Sequence, residues 1–290
     1  MDETADPPRI DALIRWAAAR FPFSETAMID ARALAKCAFG LDDAGLIASG
    51  NDLADAACLA RFRRMVERRA AQEPVAYIVG RREFWSLDLE MRRGVLIPRT
   101  DSETIVEAAL KRRRRSAPLR IIDLGSGSGA LLCALLSEFR DARGLGVDIN
   151  PEAVALTAQN LARLGLSDRA DAQEGDWFAG LSGAFDLIVA NPPYVPSGDR
   201  AGLPREVAEH ESPLALFAGA DGLDAYRRLF GEAPGRLDAA GLMIVEFGRN
   251  QEEPVKEMAE KAFPRATVAI EKDLAGRPRA AAIDLAPPHR

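Results

Sequence analysis

The chain has 290 residues, more than the roughly 100 to 200 residues of a typical domain, so we expect two domains. Hydrophobic residues make up 48% and charged residues 28%, which is typical of globular proteins and excludes wholesale disorder. The net charge of −6 argues against a protein that mainly grips a nucleic-acid backbone, because such binding needs a cationic surface.

Cysteine, histidine and hydropathy patterns exclude further classes. Cys37, Cys58 and Cys133 are odd in number and lack CxxC spacing, which favours a reducing cytoplasm over a disulfide framework or a zinc site. Since His210 and His289 are the only histidines, chemistry that needs several histidines is excluded, and we expect no metal. No apolar run approaches the roughly 20 residues that span a bilayer, and the acidic start "MDETADPP" does not resemble a signal peptide, so we expect no membrane contact.

The first 73 residues predict a small helical domain. Apolar residues recur at spacings of three and four within residues 10–21, 24–40 and 53–71, which predicts three helices. Gly40 is expected to end the second helix, because glycine readily adopts the left-handed conformation found there. We therefore assign residues 1–73 to an N-terminal helical domain.

Residues 74–100, "PVAYIVGRREFWSLDLEMRRGVLIPRT", have a different composition. Aromatic and β-branched residues flank a glycine break, which predicts a hairpin-like connector.

Residues 101–290 alternate short apolar strands with amphipathic helices. One helix begins with Asn150 as its cap and Pro151 at its first position. Such alternation predicts an α/β fold of the Rossmann-like kind, with a mostly parallel sheet covered by helices on both faces. After residue 264 the chain predicts a C-terminal antiparallel strand pair. The strand segments are "LRIIDLG", "RGLGVDI", "FDLIVAN", "GLMIVEFG", "ATVAIEKDL" and "RAAAIDLA".

A basic run extends from Lys111 to Arg115. Such a run could contact nucleic acid. A solvated face at the end of a helix explains it more simply, because cations interact favourably with the helix C-terminus.

A glycine-rich turn follows the strand "LRIIDLG" and opens a helix. Gly125, Gly127 and Gly129, separated by Ser126 and Ser128, allow a ligand to approach the backbone closely. A ligand is therefore expected at the carboxyl end of this strand. The spacing also satisfies the dinucleotide pattern through the alanine that follows, so nicotinamide binding is a rival at this point. No Lys-Ser/Thr pair follows, which excludes a phosphate loop of the ATPase kind.

Acidic and aromatic residues end the next two segments. Asp148 lies about 20 residues beyond the glycine turn, where a carboxylate reaches ribose hydroxyls. Asp176 and Trp177 suit an adenine, with Asp176 accepting from its amino group and Trp177 covering its ring face. The alternatives are a capping role for Asp148 and core packing for Trp177.

The fourth strand ends in Asn191, Pro192, Pro193 and Tyr194. The prolines cannot donate hydrogen bonds and hold an extended, rigid backbone. The Asn191 side-chain oxygen and the Pro192 carbonyl can both accept from one NH2 group on a trigonal carbon, which aims the nitrogen lone pair for in-line attack on an activated methyl. Developing positive charge is stabilised by these acceptors, so no strong base is needed. This pattern indicates an S-adenosyl-L-methionine-dependent N-methyltransferase with S-adenosyl-L-homocysteine as product, and leaves open nucleobase amino groups and a glutamine amide as targets.

Over nearly its whole length the chain resembles the protein-(glutamine-N5) methyltransferases, the PrmC or HemK family. The matching motifs are "PVAYIVGRREFWSLDL", "VLIPRTDSETIVEAAL", "DLGSGSGA", "NPPYVP", "PLALFAGADGLDAYRRLF", "VEFGRNQ" and "KDLAGRPRA". The resemblance implies methylation of the glutamine in the Gly-Gly-Gln motif of class 1 peptide chain release factors, without direct nucleic-acid binding, and we expect a monomer. It also implies that residues 1–73, similar in size and position to the family's helical front domain, help to dock the substrate.

The resemblance also implies site residues. The cofactor site would comprise residues 125–129, Asp148, Trp177 and Asn191, and the glutamine substrate would contact residues 191–194. The ring of Tyr194 would form a wall beside the planar amide or stack on it. Asn191, Pro192 and Tyr194 are accordingly the candidate catalytic residues.

Three motifs depart from the family pattern. The family usually has Pro-Arg-Pro-Asp-Thr-Glu at residues 98–103, Tyr-Glu-Pro at residues 210–212 and Glu-Ile-Gly at residues 246–248, where this chain has PRTDSE, HES and EFG. The first two concern how the connector and the loop 196–213 close over the substrate. The cofactor and amide-binding positions are intact.

Three other functions stay open. A related branch methylates a glutamine of a large-subunit ribosomal protein and shares the Asn-Pro-Pro-Tyr element. A DNA or RNA amino-group methyltransferase is disfavoured by the acidic balance and the lack of a nucleic-acid module. A non-catalytic module that keeps the cofactor fold is disfavoured by the intact segment 191–194.

Overall fold

The computed structural model describes residues 8–286, so His289 and the first seven residues of the acidic start lie outside it. The chain forms two compact units that divide between Arg81 and Arg82, inside the predicted connector. No helix among the described residues is long and apolar enough to cross a membrane.

The first unit is a helical bundle. Its helices are α1 (Ile10–Ala18), α2 (Ala27–Phe39), α3 (Asp43–Ala48), α4 (Ala56–Ala70) and α5 (Val75–Val79). The three predicted helices are confirmed, and Gly40 follows α2 with φ 68° as expected. The carboxylate of Asp55 caps α4 by accepting from the backbone N–H groups of Ala57 and Cys58. The buried Arg69 and Asp30 form an ion pair at 2.9 Å that links α4 to α2.

The structure corrects the start of the predicted connector. The segment "VAYIV" forms helix α5, and the hairpin begins only at Arg81, with β1 (Arg81–Phe84) and β2 (Leu87–Glu90). Its turn residues Trp85 and Ser86 both have positive φ, 52° and 58°, without a glycine. Trp85 is held there because its backbone N–H donates to the Glu103 carboxylate and its indole N–H to that of Glu138.

The second unit is a seven-stranded sheet with helices on both faces, which confirms the predicted fold class. The elements are α6 (Glu103–Arg112), β3 (Arg120–Leu124), α7 (Ala130–Glu138), β4 (Arg143–Asp148), α8 (Pro151–Arg163), β5 (Ala170–Glu174), β6 (Phe185–Ala190), α9 (Arg205–His210), α10 (Pro213–Leu216), α11 (Asp224–Glu232), β7 (Leu237–Glu246), α12 (Glu252–Ala262), β8 (Thr267–Lys272) and β9 (Pro278–Asp284). The strands run β5-β4-β3-β6-β7-β9-β8; the first five are parallel and β9 is antiparallel to β7 and β8.

Burial on both sheet faces fixes this architecture. Helices α6 and α7 pack on one face of the sheet, against Ile121, Val189 and Ile244 of its strands. Helices α11 and α12 pack on the other face, against Ile122 and Val245. All residues of α7 from Ala130 to Leu136 are buried, as expected for a helix that is apolar all round. Each fully buried leucine side chain contributes about 1.5 to 3 kcal/mol of hydrophobic stabilisation.

The prediction of a solvated basic face is wrong for the middle of the run 111–115. The side chains of Arg112 and Arg113 are only 18% and 12% exposed. Arg112 pairs with Glu271 of β8 at 2.6 Å, and Arg113 pairs with Asp284 of β9 at 3.0 Å. These cations therefore fasten α6 to the antiparallel strands, a use that no local pattern in the sequence reveals.

The strand order places the functional edge. Strands β3, β4 and β5 follow one another outward in one direction, whereas β6 and β7 lie on the other side of β3. Ligands of such sheets bind at the carboxyl ends of the strands where the order reverses. The glycine turn after β3 and Asn191 after β6 meet at that point.

Candidate active site

A cavity of about 260 Å³ opens at the carboxyl edge of the sheet, entirely within the second unit. Most of the residues that the sequence singled out line it together. They are Gly125, Ser126, Gly127, Ser128, Asp148, Asp176, Trp177, Asn191 and Pro193. Gly129, Pro192 and Tyr194 are not among the lining residues.

The glycine turn presents backbone to the cavity. Gly125 and Gly127 have φ values of 73° and 57°, which side-chain-bearing residues rarely adopt. Gly129 has a different role, because a Cβ there would lie 2.9 Å from Cγ2 of Thr157 and would prevent α7 from starting close against α8. The hydroxyl of Thr157 donates to the Gly127 carbonyl at 3.1 Å and holds the turn from behind.

Asp148, the last residue of β4, holds the turn from the cavity side. Its Oδ2 accepts from the Gly127 N–H at 2.8 Å, and its Oδ1 accepts from the Asn150 N–H at 2.9 Å. A carboxylate has about four acceptor positions, so two remain for ligand hydroxyls. Burial raises the pKa of Asp148, and the hydrogen bonds from Asn150 and Gly127 oppose that shift.

Asp176 and Trp177 lie at the end of β5, as predicted, but Asp176 already has a partner. Its two carboxylate oxygens accept from Nη1 and Nη2 of Arg228, each at 3.0 Å. Arg228, on α11, also lines the cavity and was not singled out from the sequence. Trp177 is partly buried against the core beneath α11 and adopts φ 55°. Its ring therefore serves both packing and the cavity wall.

Asn191 follows β6 directly and has a defined side-chain partner. Its Nδ2 donates to Oγ of Ser102 at 3.0 Å. Ser102 is 3% exposed and lies immediately before α6. Because the amide nitrogen is used in this way, the acceptor Oδ1 is left for a ligand.

Tyr194 is fixed behind the cavity. Its carbonyl accepts from Nε2 of Gln251 at 3.0 Å, and a Cβ at Gly248 would lie 2.8 Å from its ring atom Cδ2. Burial raises the pKa of the Tyr194 phenol to about 12, so it stays protonated at neutral pH. Pro192 is buried as well. The motif "VEFGRNQ" thus anchors the segment 191–194.

Two segments that the sequence did not assign to the site supply further walls. Val95, Leu96 and Pro98 come from the connector, and Leu214 and Ala215 come from α10. The signal that the sequence offered for these walls was the presence of hydrophobic residues in loops next to the sheet edge. No local pattern indicated which loop would close over which strand. Ser102, and Glu246 beside Asn191, were missed for the same reason, although both lie in motifs that resemble the family.

The site's residues fit S-adenosylmethionine. The side-chain-free backbone of Gly125 and Gly127 admits close approach of a charged group, Asp148 has acceptor positions for hydroxyls, and Trp177 with Val95 offers apolar surface for a ring. Asn191 adds an acceptor on the side of the cavity nearest β6. Such an arrangement can hold a cofactor and a substrate NH2 group side by side.

Two family models match the chain. One is described as the PrmC N-terminal domain and matches residues 12–80; the other is described as the methyltransferase small domain and matches residues 102–204.

Curated relatives match across most of the chain. The release factor glutamine methyltransferase of Bradyrhizobium diazoefficiens is 42% identical over 267 residues, which cover 91% of this chain and 90% of the relative. The protein of the same name from Rhodospirillum rubrum is 42% identical over 250 residues, which cover 86% of this chain and 76% of the relative.

The similarity to solved structures shows the fold of the chain and nothing about its function. A methyltransferase from Pyrococcus furiosus aligns with a TM-score of 0.51 at 16% identity, covering 79% of this chain and 99% of that chain. The catalytic domain of hMettl16, solved with the MAT2A 3'UTR hairpin 1, aligns with a TM-score of 0.57 at 17% identity, covering 78% of this chain and 85% of that chain.

Proposed function

This chain belongs to the release factor glutamine methyltransferase family, and from that premise we propose which of its residues carry the reaction. The resemblance recognised in the sequence is confirmed by these relatives. The protein is an S-adenosylmethionine-dependent protein-(glutamine-N5) methyltransferase, and it transfers a methyl group to the glutamine side-chain amide of peptide chain release factors.

One observation carries the residue assignment. Asn191 lines the same cavity as the glycine turn, and its Nδ2 is turned to Ser102. Oδ1 of Asn191 and the Pro192 carbonyl, whose successor Pro193 has no N–H, accept the two hydrogens of the glutamine amide. This arrangement would hold the amide nitrogen in line for attack on the methyl group, at a near-attack distance of about 3 Å. The proposed glutamine-binding residues are 191–194.

The chain's residues stabilise the charge that develops. Bound S-adenosylmethionine supplies a methyl group on a sulfonium sulfur. The electron pair of the broken C–S bond would remain on sulfur, and the cofactor would leave as S-adenosyl-L-homocysteine. Positive charge then grows on the amide nitrogen, where the Asn191 oxygen and the Pro192 carbonyl stabilise it, and the extra proton leaves to water afterwards. A general base is not required.

Cofactor binding is assigned to the opposite side of the cavity. We place the ribose hydroxyls at Asp148 and the adenine at Trp177, with residues 125–129 and Asn191 completing the site. Asp176 would accept from the adenine amino group in the presence of its partner Arg228. The support is that most of these residues line one cavity.

The partner and compartment form part of the same proposal. The substrate is a class 1 release factor with a Gly-Gly-Gln motif, docked in part by residues 1–73, and the enzyme acts as a cytoplasmic monomer without direct nucleic-acid binding. The net charge of −6 supports the last point, because backbone phosphates repel an acidic surface.

The test is methyl transfer from labelled cofactor. The purified enzyme is incubated separately with release factor, with a release factor whose Gly-Gly-Gln glutamine is replaced by alanine, with large-subunit ribosomal protein and with total nucleic acid. We expect label only in the intact release factor, on that glutamine by mass spectrometry. Label in the ribosomal protein or in nucleic acid, with none in release factor, would replace the proposed substrate.

A further inference from the structure

Glu246 lies beside Asn191 at the carboxyl edge of the sheet. Strands β6 and β7 are paired in parallel with Ala190 opposite Val245, so the residues that come next, Asn191 and Glu246, stand side by side. Glu246 is only 2% exposed, and its Oε2 has no hydrogen-bond partner within residues 8–286. Burying an unpaired carboxyl oxygen is unfavourable, and native interiors rarely leave such atoms unpaired, so this one points to a functional role.

Ser102 connects the two side chains. Its hydroxyl accepts from Nδ2 of Asn191 at 3.0 Å, and the Ser102 and Asn191 side chains both lie close enough to the Glu246 carboxyl to lower its pKa. A serine hydroxyl has one proton; when it donates that proton to Glu246, it can only accept from Asn191. The carboxylate of Glu246 thereby selects which end of the Asn191 amide faces Ser102.

We propose that Glu246 is a positioning residue that acts through Ser102 to hold the Asn191 side chain with Oδ1 turned toward the substrate amide. The inference rests on the proposed function, because it assigns Asn191 the role of accepting hydrogen bonds from a substrate NH2 group. An Asn191 amide turned the other way would present its own NH2 to the substrate NH2. Donor would then face donor, and the nitrogen would not be held for transfer.

Packing at position 246 does not require a carboxylate side chain. The Tyr226 hydroxyl donates to the backbone carbonyl of Glu246 at 2.9 Å, so this packing contact is independent of the side chain. Nearby, Arg279 pairs with Asp101 at 2.8 Å, next in sequence to Ser102, which keeps the start of α6 close to the end of β7. The C-terminal strand pair therefore supports the Glu246–Ser102 contact.

Position 102 offers a matched pair of variants. S102T keeps the hydroxyl, whereas S102V has almost the same shape as S102T without it. E246Q is nearly isosteric, but its NH2 can donate to Ser102, which frees the Ser102 proton for Oδ1 of Asn191 and favours the reversed amide. At about pH 8, where the Glu246 carboxyl is ionised, we expect S102V and E246Q to lower kcat on release factor about 10- to 100-fold, with the cofactor Kd and the KM for release factor changed less than about twofold.

The remaining variants distinguish a positioning role of Glu246 and Ser102 from a role in folding. S102T should rescue most of the kcat lost in S102V, and the double variant S102V/E246Q should be no slower than the slower single variant, because both changes break one pathway. Equal kcat in S102V and S102T would overturn the inference. So would a loss shared by S102T and accompanied by a lower Tm, because the role would then be one of packing.

A second readout does not depend on the substrate. The side-chain NH2 of Asn191, assigned by NMR from its absence in N191A, should exchange slowly with solvent in the wild type and S102T and quickly in S102V and E246Q. Unaltered exchange in both E246Q and S102V would overturn the inference even if release factor were not the substrate. Conversely, a wild-type enzyme that transfers no methyl group to release factor, yet shows the expected exchange pattern, would overturn the proposed function alone.

Discussion

Nη2 of Arg99 and Oε1 of Glu211 form an ion pair at 2.5 Å, across 112 residues of chain. The pair joins the connector to the loop after the active-site segment, two of the three places where the sequence departs from its family pattern. Arg99 and Glu211 are both residues that the chain keeps from those motifs. The departures at neighbouring positions therefore leave the connection between the two walls of the cavity intact.

Removing Arg99 should destabilise the second unit. The Glu211 side chain is 1% exposed and Arg99 is 40% exposed, so R99M leaves a buried carboxylate that is poorly solvated. After allowance for the exposure of Arg99, we expect a loss of about 1 to 2 kcal/mol in unfolding free energy, measured by urea denaturation. R99M/E211Q should recover at least half of it. As a control, R205M, which breaks the exposed pair Arg205–Glu209, should change stability by less than about 0.5 kcal/mol.

Asn191→Ala should keep cofactor binding and lose most turnover. The variant removes the acceptor for the substrate amide and leaves the glycine turn and Asp148 in place. We expect kcat to fall at least about 100-fold, as when one stabilising hydrogen-bonding group is removed from an active site, while the cofactor Kd by calorimetry stays within about threefold. A variant with wild-type kcat would remove Asn191 from the mechanism.

Asp148→Ala should have the opposite signature. It removes the carboxylate assigned to the ribose and also two hydrogen bonds that shape the turn, those from the N–H groups of Gly127 and Asn150. Cofactor binding should weaken by about 1.5 to 3 kcal/mol in calorimetry. The matched control is Asp171→Ala, an exposed acid on the adjacent strand β5, for which we expect no change in affinity. Equal affinities in the two variants would contradict the assignment.

Glu246 should make stability depend on pH. Burial raises the pKa of Glu246 to about 7; Ser102 and Arg279 oppose the shift and Asp101 adds to it. The partly buried phenol of Tyr194 and the buried phenol of Tyr226 also face it. Because the folded protein holds this proton more tightly than the unfolded chain, the stability contribution is present below about pH 4.5 and is lost as pH rises through 7.

The measurement compares E246Q with the wild type. The Tm of E246Q minus that of the wild type should increase between pH 5 and 7 and level off above about 7.5, since only the wild type loses a proton on unfolding in that range. A difference that is constant over the whole range would show that Glu246 does not titrate as described.

Gly222→Ala should disturb the active-site segment from behind. Gly222 has φ 74°, and an added Cβ would lie 2.3 Å from the Tyr194 carbonyl oxygen, so the backbone after Asn191 must shift. Strain from the left-handed conformation alone costs about 1 to 2 kcal/mol, and we expect both unfolding free energy and kcat to fall.

The control for this change lies in the next helix. A Cβ added at Gly231 of α11 would meet no atom within 4 Å, and this glycine has no positive φ. Gly231→Ala should therefore raise stability by up to about 1 kcal/mol and leave kcat as it is. If Gly222→Ala also raised stability and left kcat unchanged, the close contact between Gly222 and the Tyr194 backbone would have no role in shaping the site.

Local pattern was enough to place the principal site residues. Alternation of buried strands with amphipathic helices predicted a parallel sheet, and parallel strands bring their carboxyl ends to one edge. The glycine turn, Asp148 and Asn191 each follow or end such a strand, so their meeting was predictable without knowledge of the strand order. The cap at Asn150, whose side chain accepts from the Glu152 N–H, was predictable for the same reason: it depends on residues within one turn.

Tertiary packing alone decided the rest. Arg112 and Arg113 find their acidic partners more than 150 residues away, and the turn at Trp85 and Ser86 takes positive φ values because Glu103 and Glu138 hold the tryptophan. Ser102 reaches Asn191 across 89 residues.

The amino-acid sequence by itself determined the principal strands, the glycine turn and the edge at which the chemistry gathers, because periodicity and backbone preference act over a few residues. The packing of helices on the sheet then decided which distant side chains support that edge. A hydrogen bond or ion pair between remote segments exists only once the core has brought them together, since the entropy of closing the intervening loop must first be overcome.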